Sequence, residues 1–258
     1  MDRLNNILKI RNKLQTGMYS IGTWIQIPHA SIAEILGKSG YDWVTVDLEH
    51  GSISVDQLPD LFRAIELGHT LPLARISQAN PQNCKQALDA GAGGVIVPMI
   101  ENVSQLESIK DACCWPPAGN RGVGFSRANL FGKNFSEYAK EAQAPLLVAQ
   151  IESIVAVDNL VKILMVDGLD AIIVGPYDLS ASMKLTAEFE HPEFIDIMSH
   201  IFSLCNEYNI PFGDHLVLPN PEELQKRIQK GYQFIAYSTD AVFLYDSAKC
   251  PINNNTDK

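Results

Sequence analysis

The alternation of apolar and polar positions repeats one unit along the chain: a helical pattern closes on glycine, and a short apolar, β-branched run follows. The unit appears as Gly40-Tyr41-Asp42-Trp43-Val44-Thr45-Val46-Asp47, Gly91-Ala92-Gly93-Gly94-Val95-Ile96-Val97-Pro98, Gly168-Leu169-Asp170-Ala171-Ile172-Ile173-Val174-Gly175 and Gly231-Tyr232-Gln233-Phe234-Ile235-Ala236. Glycine supplies the left-handed residue that ends a helix. The continuous run after it reads as a parallel strand covered on both faces. Runs at 19–25, 71–75, 146–151 and 212–215 fill the gaps and bring the predicted strands to eight.

Between the strands lie helical patterns with readable starts. Ser31-x-x-Glu34 and Ser54-x-x-Gln57 have the spacing of capping boxes, and Pro81, Pro192 and Pro221 suit the first turn of a helix. Eight strands alternating with helices, at roughly 25 to 35 residues per unit, predict an α/β fold of the (β/α)8 TIM-barrel type. The expectation is a single domain over residues 1–250 and a polar, disordered tail over 251–258. An open doubly wound sheet is the rival, but no G-x-G-x-x-G follows the first strand. Residues 115–142 interrupt the pattern. Trp115-Pro116-Pro117-Ala118-Gly119-Asn120-Arg121-Gly122-Val123-Gly124 is too rich in glycine and proline for a helix, and a second helix over about 135–142 precedes the next strand. A long excursion in a compact domain is usually functional.

At 258 residues and 46% hydrophobic, the chain can build one full core, although its length alone also permits two domains. A formal charge of −10 with no basic run argues against nucleic acid and anionic membranes and favours a small-molecule ligand. No stretch of eighteen apolar residues occurs and the N-terminus lacks a signal-peptide layout, which predicts a cytoplasmic protein. Cys84, Cys113, Cys114, Cys205 and Cys250 form no paired framework and are expected as buried, reduced thiols.

Active sites of this fold collect at the carboxyl ends of the strands. There the chain places Asp47-Leu48-Glu49-His50, Arg75, Gln150-Ile151-Glu152 and Gly175-Pro176-Tyr177-Asp178. Gln150 and Glu152, two apart, share a side of their strand, and Asp178 follows the next strand's glycine turn and can face Glu152. Two carboxylates without Cys or His are hard oxygen ligands suited to Mg²⁺ or Mn²⁺, with Co²⁺ also admissible. The bland alternative has Glu152 and Asp178 each capping a helix. His50 is of the residue type suited to proton transfer near neutrality, and Arg75 is a permanently charged fork for a carboxylate or enolate, unless it merely pairs with Glu49. The other histidines read as structural, with a reservation for His215 near the end of strand seven.

At these residues the chain resembles the HpcH/HpaI class II pyruvate aldolases. The shared stretches are Val46-Asp47-Leu48-Glu49-His50, Ala74-Arg75, Leu88-Asp89-Ala90-Gly91-Ala92, Val97-Pro98-Met99, Pro116-Pro117-x-Gly119-x-Arg121-Gly122-x-Gly124, Gln150-Ile151-Glu152 and Gly175-Pro176-x-Asp178-Leu179-Ser180, in the family's order. The resemblance implies His50 as base and Asp89 as the aspartate that raises its basicity from a neighbouring subunit. It implies Arg75 as enolate stabiliser, Glu152 and Asp178 as metal ligands, and Gln150 with Asp178 and the main chain around Tyr177 as pyruvate-binding groups. Tyr177 stands where the family usually has alanine, and residues 212–219 differ from the best-known aldolases.

The leading expectation is therefore a metal-dependent lyase that cleaves a 4-hydroxy-2-oxo acid to pyruvate and an aldehyde. Oxaloacetate-type decarboxylation on the same site and a non-catalytic 2-oxo-acid-binding barrel are the alternatives. A last helix over about 241–248, apolar on more than one side, predicts a homo-oligomer, hexameric as the resemblance implies.

Overall fold

The four glycines that close the repeat all take left-handed backbone: Gly40 at φ 87°, Gly91 at 107°, Gly168 at 86° and Gly231 at 94°. Each lies between the end of a helix and the strand that follows, and together the units build a closed barrel in a computed structural model that describes residues 2–250. The expected disordered tail over 251–258 lies outside the described residues.

The strands are β1 (Ser20–Ile25), β2 (Trp43–Asp47), β3 (Leu71–Arg75), β4 (Gly94–Val97), β5 (Leu146–Ile151), β6 (Ala171–Val174), β7 (Phe212–Leu216) and β8 (Phe234–Thr239). They pair in parallel in sequence order, and β8 closes on β1. The helices are α1 (Arg3–Gln15), α2 (Ala30–Gly37), α3 (Leu58–Glu66), α4 (Pro81–Ala90), α5 (Val103–Cys113), α6 (Phe135–Glu141), α7 (Ile154–Asp158), α8 (Leu160–Leu164), α9 (Pro176–Ser182), α10 (Pro192–Glu207), α11 (Pro221–Gln229) and α12 (Asp240–Ser247).

Alternation along each strand divides the core in two. Val44, Val46, Ala74, Leu147, Ala149, Ile151, Ile172 and Val174 face the helices. Trp24, Trp43, Leu71, Leu73, Ile96, Leu146, Val148, Ala171, Ile173 and Phe234 fill the barrel, joined by Ile7, Ile10 and Leu14 of α1. With α1 closing the amino-terminal end, the carboxyl ends of all eight strands are left as the open mouth. Trp43 stacks on Phe234 at 4.5 Å, and a Cβ at Gly22 would stand 2.0 Å from the Trp43 ring, so that strand position admits no side chain.

Helix starts depart from expectation once. Asn80, His191 and Asn220 cap the three proline-led helices, and Gln57 accepts from the Ser54 N–H at 2.9 Å as the box over 54–57 requires. Ser31, however, is not a cap. His29 Nδ1 accepts from the Ser31 N–H at 3.1 Å, so α2 opens two residues earlier, and Glu34 pairs instead with Lys38 at 2.8 Å. Cys84, Cys113, Cys114 and Cys205 are buried as expected, whereas Cys250 is exposed.

Residues 115–142 lie at the closed end, because this segment leads from the end of α5 down to the start of β5. Arg3 ties α1 to it, donating to Ala128 O at 2.5 Å and to Glu141 at 2.7 Å. The excursion is thus on the face opposite the mouth of its own barrel.

Candidate active site

Asp47 and Arg75 are register partners across β2 and β3, which sets their side chains next to each other at the mouth. Arg75 Nε and Nη2 donate to the two Asp47 oxygens at 2.9 and 2.7 Å. Asp47 also accepts from Gln26 Nε2 at 2.9 Å and from the Glu49 and His50 N–H groups at 3.1 and 3.2 Å. Burial alone would raise the Asp47 carboxyl, but these donors outweigh it and hold it below the usual aspartate range. Behind Arg75 lies Trp24, its ring centre 4.1 Å from the guanidinium carbon; on Trp24 stacks His215 at 4.7 Å. The fork is therefore fixed in direction before any ligand arrives.

Glu49 stands 3.0 Å from Arg75 Nη1 but off the N–H direction, so its buried Oε2 accepts no hydrogen bond. The expected Arg75–Glu49 ion pair is thus present, but Asp47 holds the bidentate position. Burial pushes the Glu49 carboxyl up to about 7; Arg75 opposes this, and Asp47 and Asp178 add to it.

Gln150 and Glu152 point into the barrel together, and Gln150 Nε2 donates to Glu152 Oε1 at 2.5 Å. Glu152 Oε2 accepts the Met99 N–H at 2.9 Å, from a residue whose left-handed φ of 52° turns that amide toward the mouth. Burial raises Glu152 to about 7; the Met99 amide opposes it, and Glu49 and Asp178 reinforce it. Glu152 caps no helix, because Ser153 caps α7, and Gly175 holds the cap position of α9 with Asp178 inside that helix's first turn. Both readings of these carboxylates as helix caps are thereby set aside.

The donor set suits a hard divalent cation. Glu49 and Glu152, both held above the usual carboxylate range with the Asp178 charge among the causes, come together here with an orphaned Glu49 oxygen and an orphaned Gln150 Oε1. Among the described residues no three Asp, Glu, His or Cys side chains form a closed cage. Two protein carboxylates, with water and substrate oxygens completing the shell, is the arrangement Mg²⁺ commonly takes.

His50 follows β2 with its side chain exposed at the mouth. Tyr177 is 46% exposed, stands edge-on to Phe189 at 5.0 Å and lines a cavity of about 630 Å³ that also takes in His215 and Leu218. Burial pulls His215 down to about 4, so it is neutral near pH 7 and acts as a stacking wall. Asp89 does not join this group: it sits in the last turn of α4, at the closed end, beside Arg121 and Lys85. Sequence reasoning gave no role to Asp47, Gln26, Trp24 or Met99. For Asp47 a signal existed, since the last residues of two adjacent parallel strands meet in register.

The model of the HpcH/HpaI aldolase/citrate lyase family matches residues 20–246. The chain is 33% identical over 231 residues to the 2-dehydro-3,6-dideoxy-6-sulfogluconate aldolase of Pseudomonas putida, covering 88% of this chain and 89% of that protein. It is 32% identical to the hydroxypyruvate/pyruvate aldolase of Roseobacter denitrificans, with 93% of each covered. Among solved structures, a family protein from Burkholderia cenocepacia J2315 superposes with a TM-score of 0.87 at 28% identity, over 93% of this chain and 96% of that one.

Proposed function

We propose, for a chain that belongs to the HpcH/HpaI aldolase/citrate lyase family, reversible retro-aldol cleavage of a 4-hydroxy-2-oxo acid into pyruvate and an aldehyde. The enzyme is a carbon–carbon lyase, as its aldolase relatives are. One observation carries the reading: a fixed, buried guanidinium and a cluster of proton-retaining carboxylates share one barrel mouth.

In the cleavage direction His50 removes the proton from the 4-hydroxyl, the C3–C4 bond breaks, and the electron pair moves onto the 2-oxo oxygen as an enolate. Arg75 faces that growing negative charge, and its pairing with Asp47 removes the cost of reorienting it during the step. The aldehyde departs, and the protonated His50 returns its proton to the enolate carbon to give pyruvate. Gln150 and the main chain around Tyr177 hold the carboxylate end of the substrate. A divalent cation on Glu152 and Asp178, Mg²⁺ or Mn²⁺ with Co²⁺ as a further candidate, would polarise the 2-oxo group as a Lewis acid. No lysine is then needed as electron sink.

Because Asp89 lies at the closed end of its own barrel, it can serve only a neighbouring copy's His50. Apolar side chains at the same end support such a neighbour: Phe125 is 76% exposed and Phe131 67%; on α12, which starts from the mouth, Tyr245 is 80% exposed. A homo-oligomer, hexameric by the family resemblance, follows from this reading, and a monomeric mass in light scattering would remove it.

Incubation with Mg²⁺ or Mn²⁺, pyruvate and an aldehyde panel, with products read by mass, tests the reaction. Oxaloacetate in a parallel arm reports decarboxylation, and no turnover in either arm would leave a binding barrel. Calorimetric titration of Mn²⁺ with and without oxamate tests the metal. Cooperative binding is expected, and Glu152→Gln should weaken it; equal affinity in all four cases would defeat the metal assignment.

A further inference from the structure

Arg121 belongs to the Pro116–Gly124 motif yet has no place at the mouth. Its side chain is 3% exposed, 5.7 Å from the ring centres of both Trp115 and Tyr138, and donates from Nη2 to the Tyr138 hydroxyl at 2.9 Å. Nε and Nη1 are buried and have no partner. A buried guanidinium with two unused donors is costly unless an anion faces it.

The surrounding contacts place that guanidinium against the last turn of α4. Tyr138 donates its hydroxyl to Leu88 O at 3.4 Å, and a Cβ at Gly122 would stand 3.4 Å from Lys85 Nζ. Leu88 precedes Asp89 in the chain, and Lys85 lies one helical turn before it on the same face. Residues 121 and 122 therefore lie along the strip of α4 that carries Asp89. Arg121 is itself fixed, since its N–H donates to Cys114 O at 2.9 Å and Asn120 N–H to Asp111 O at 2.8 Å. Burial raises the Asp89 carboxyl, and Arg121 followed by Lys85 opposes that rise.

We propose that Arg121 is a positioning residue: its unused donors and charge, held between Trp115 and Tyr138, set the Asp89 carboxylate for the His50 of a second copy. This rests on the reading of Asp89 as the histidine's partner. Without Arg121, Asp89 would be a half-buried carboxyl that gains by staying protonated and turning to water, and it would then no longer support a histidine acting as base.

Exchange of the pyruvate methyl protons with D₂O in the presence of Mg²⁺, followed by NMR, reads the base step without an aldehyde. Arg121→Met should slow exchange about 10- to 100-fold, as removal of an outer partner of an active group typically does, with the pyruvate KM unchanged. Arg121→Lys, which keeps the charge, should recover part of the rate and serves in the same comparison if the Met variant does not fold. In an Asp89→Asn background the Arg121 substitution should cost little further, because both changes remove one function. A slowed Asp89→Asn beside a full-rate Arg121→Met, or losses that multiply in the double variant, would overturn the Arg121 assignment alone. A full-rate Asp89→Asn would instead overturn the reading of Asp89 and the inference with it.

Discussion

Asp47 and Arg75 meet because β2 and β3 end in register, and their two hydrogen bonds at 2.9 and 2.7 Å turn a flexible side chain into a fixed electrode. His50, three residues on, is positioned differently. Its N–H is held by Asp47 while its ring stays exposed, apart from the hydrogen bonds that fix Gln150 and Glu152. Replacing it tests that separation. His50→Ala should lower turnover about 10²- to 10⁴-fold, the usual worth of a general base, while Mn²⁺ and oxamate affinities measured by calorimetry remain near wild type. Lost metal affinity with a normal rate at saturating metal would make His50 a ligand instead. His50 and Arg75 were legible as strand-end chemistry. Trp24 was not, because a tryptophan in an apolar strand looks the same whether it fills a core or backs a guanidinium.

At the scale of elements, the glycine-closed helices and proline-led starts were readable because capping is a local interaction among a few consecutive residues. The miss at Ser31 is of the same kind: the histidine two residues upstream offers its ring nitrogen and takes the N–H first. The turn between β6 and α9 carries a finer constraint. A Cβ at Gly175 would stand 2.5 Å from Glu152 Oε1 and 3.0 Å from Gln150 Nε2, although φ there is −89° and suits any residue. Gly175→Ala should therefore displace the Glu152 carboxylate and leave the backbone in place. The expected result is an unchanged far-UV spectrum and Tm within a few degrees, with Mn²⁺ affinity reduced roughly tenfold. A wild-type titration would show that Glu152 has room to move without consequence.

Across the whole molecule, the carboxylate cluster couples stability to pH. Glu49 and Glu152 sit near 7 in the folded protein against 4.5 for the unperturbed group, so the folded state holds the extra protons and loses stability as pH rises toward and through 7. His215, drawn down from 6.5 to about 4, acts oppositely, adding stability as pH rises from about 4 to 6.5. Above pH 6.5 only the glutamates of these three still titrate in the folded state. The chelator-treated protein should then melt at a lower temperature at pH 8 than at pH 6.5, and Mg²⁺ should raise Tm more at pH 8, where the carboxylates are charged. Equal Mg²⁺ shifts at both values would count against the cluster as the cation's seat.

The sequence by itself determined the barrel: eight apolar runs, their helix boundaries and the strand-end residues all follow from periods and caps that act over a few positions. It also placed Gln150, Glu152 and Asp178 at one mouth, since parallel strands leave their ends no other side. The tertiary structure decided the rest. It showed that Asp47 holds Arg75 with two hydrogen bonds while Glu49 makes only an ion pair to it, that a left-handed Met99 directs its amide at Glu152, and that Asp89 and residues 115–142 lie at the opposite end from the mouth. Register, side-chain direction and the sidedness of a connection are set by contacts between residues far apart in the chain, and no local pattern encodes them.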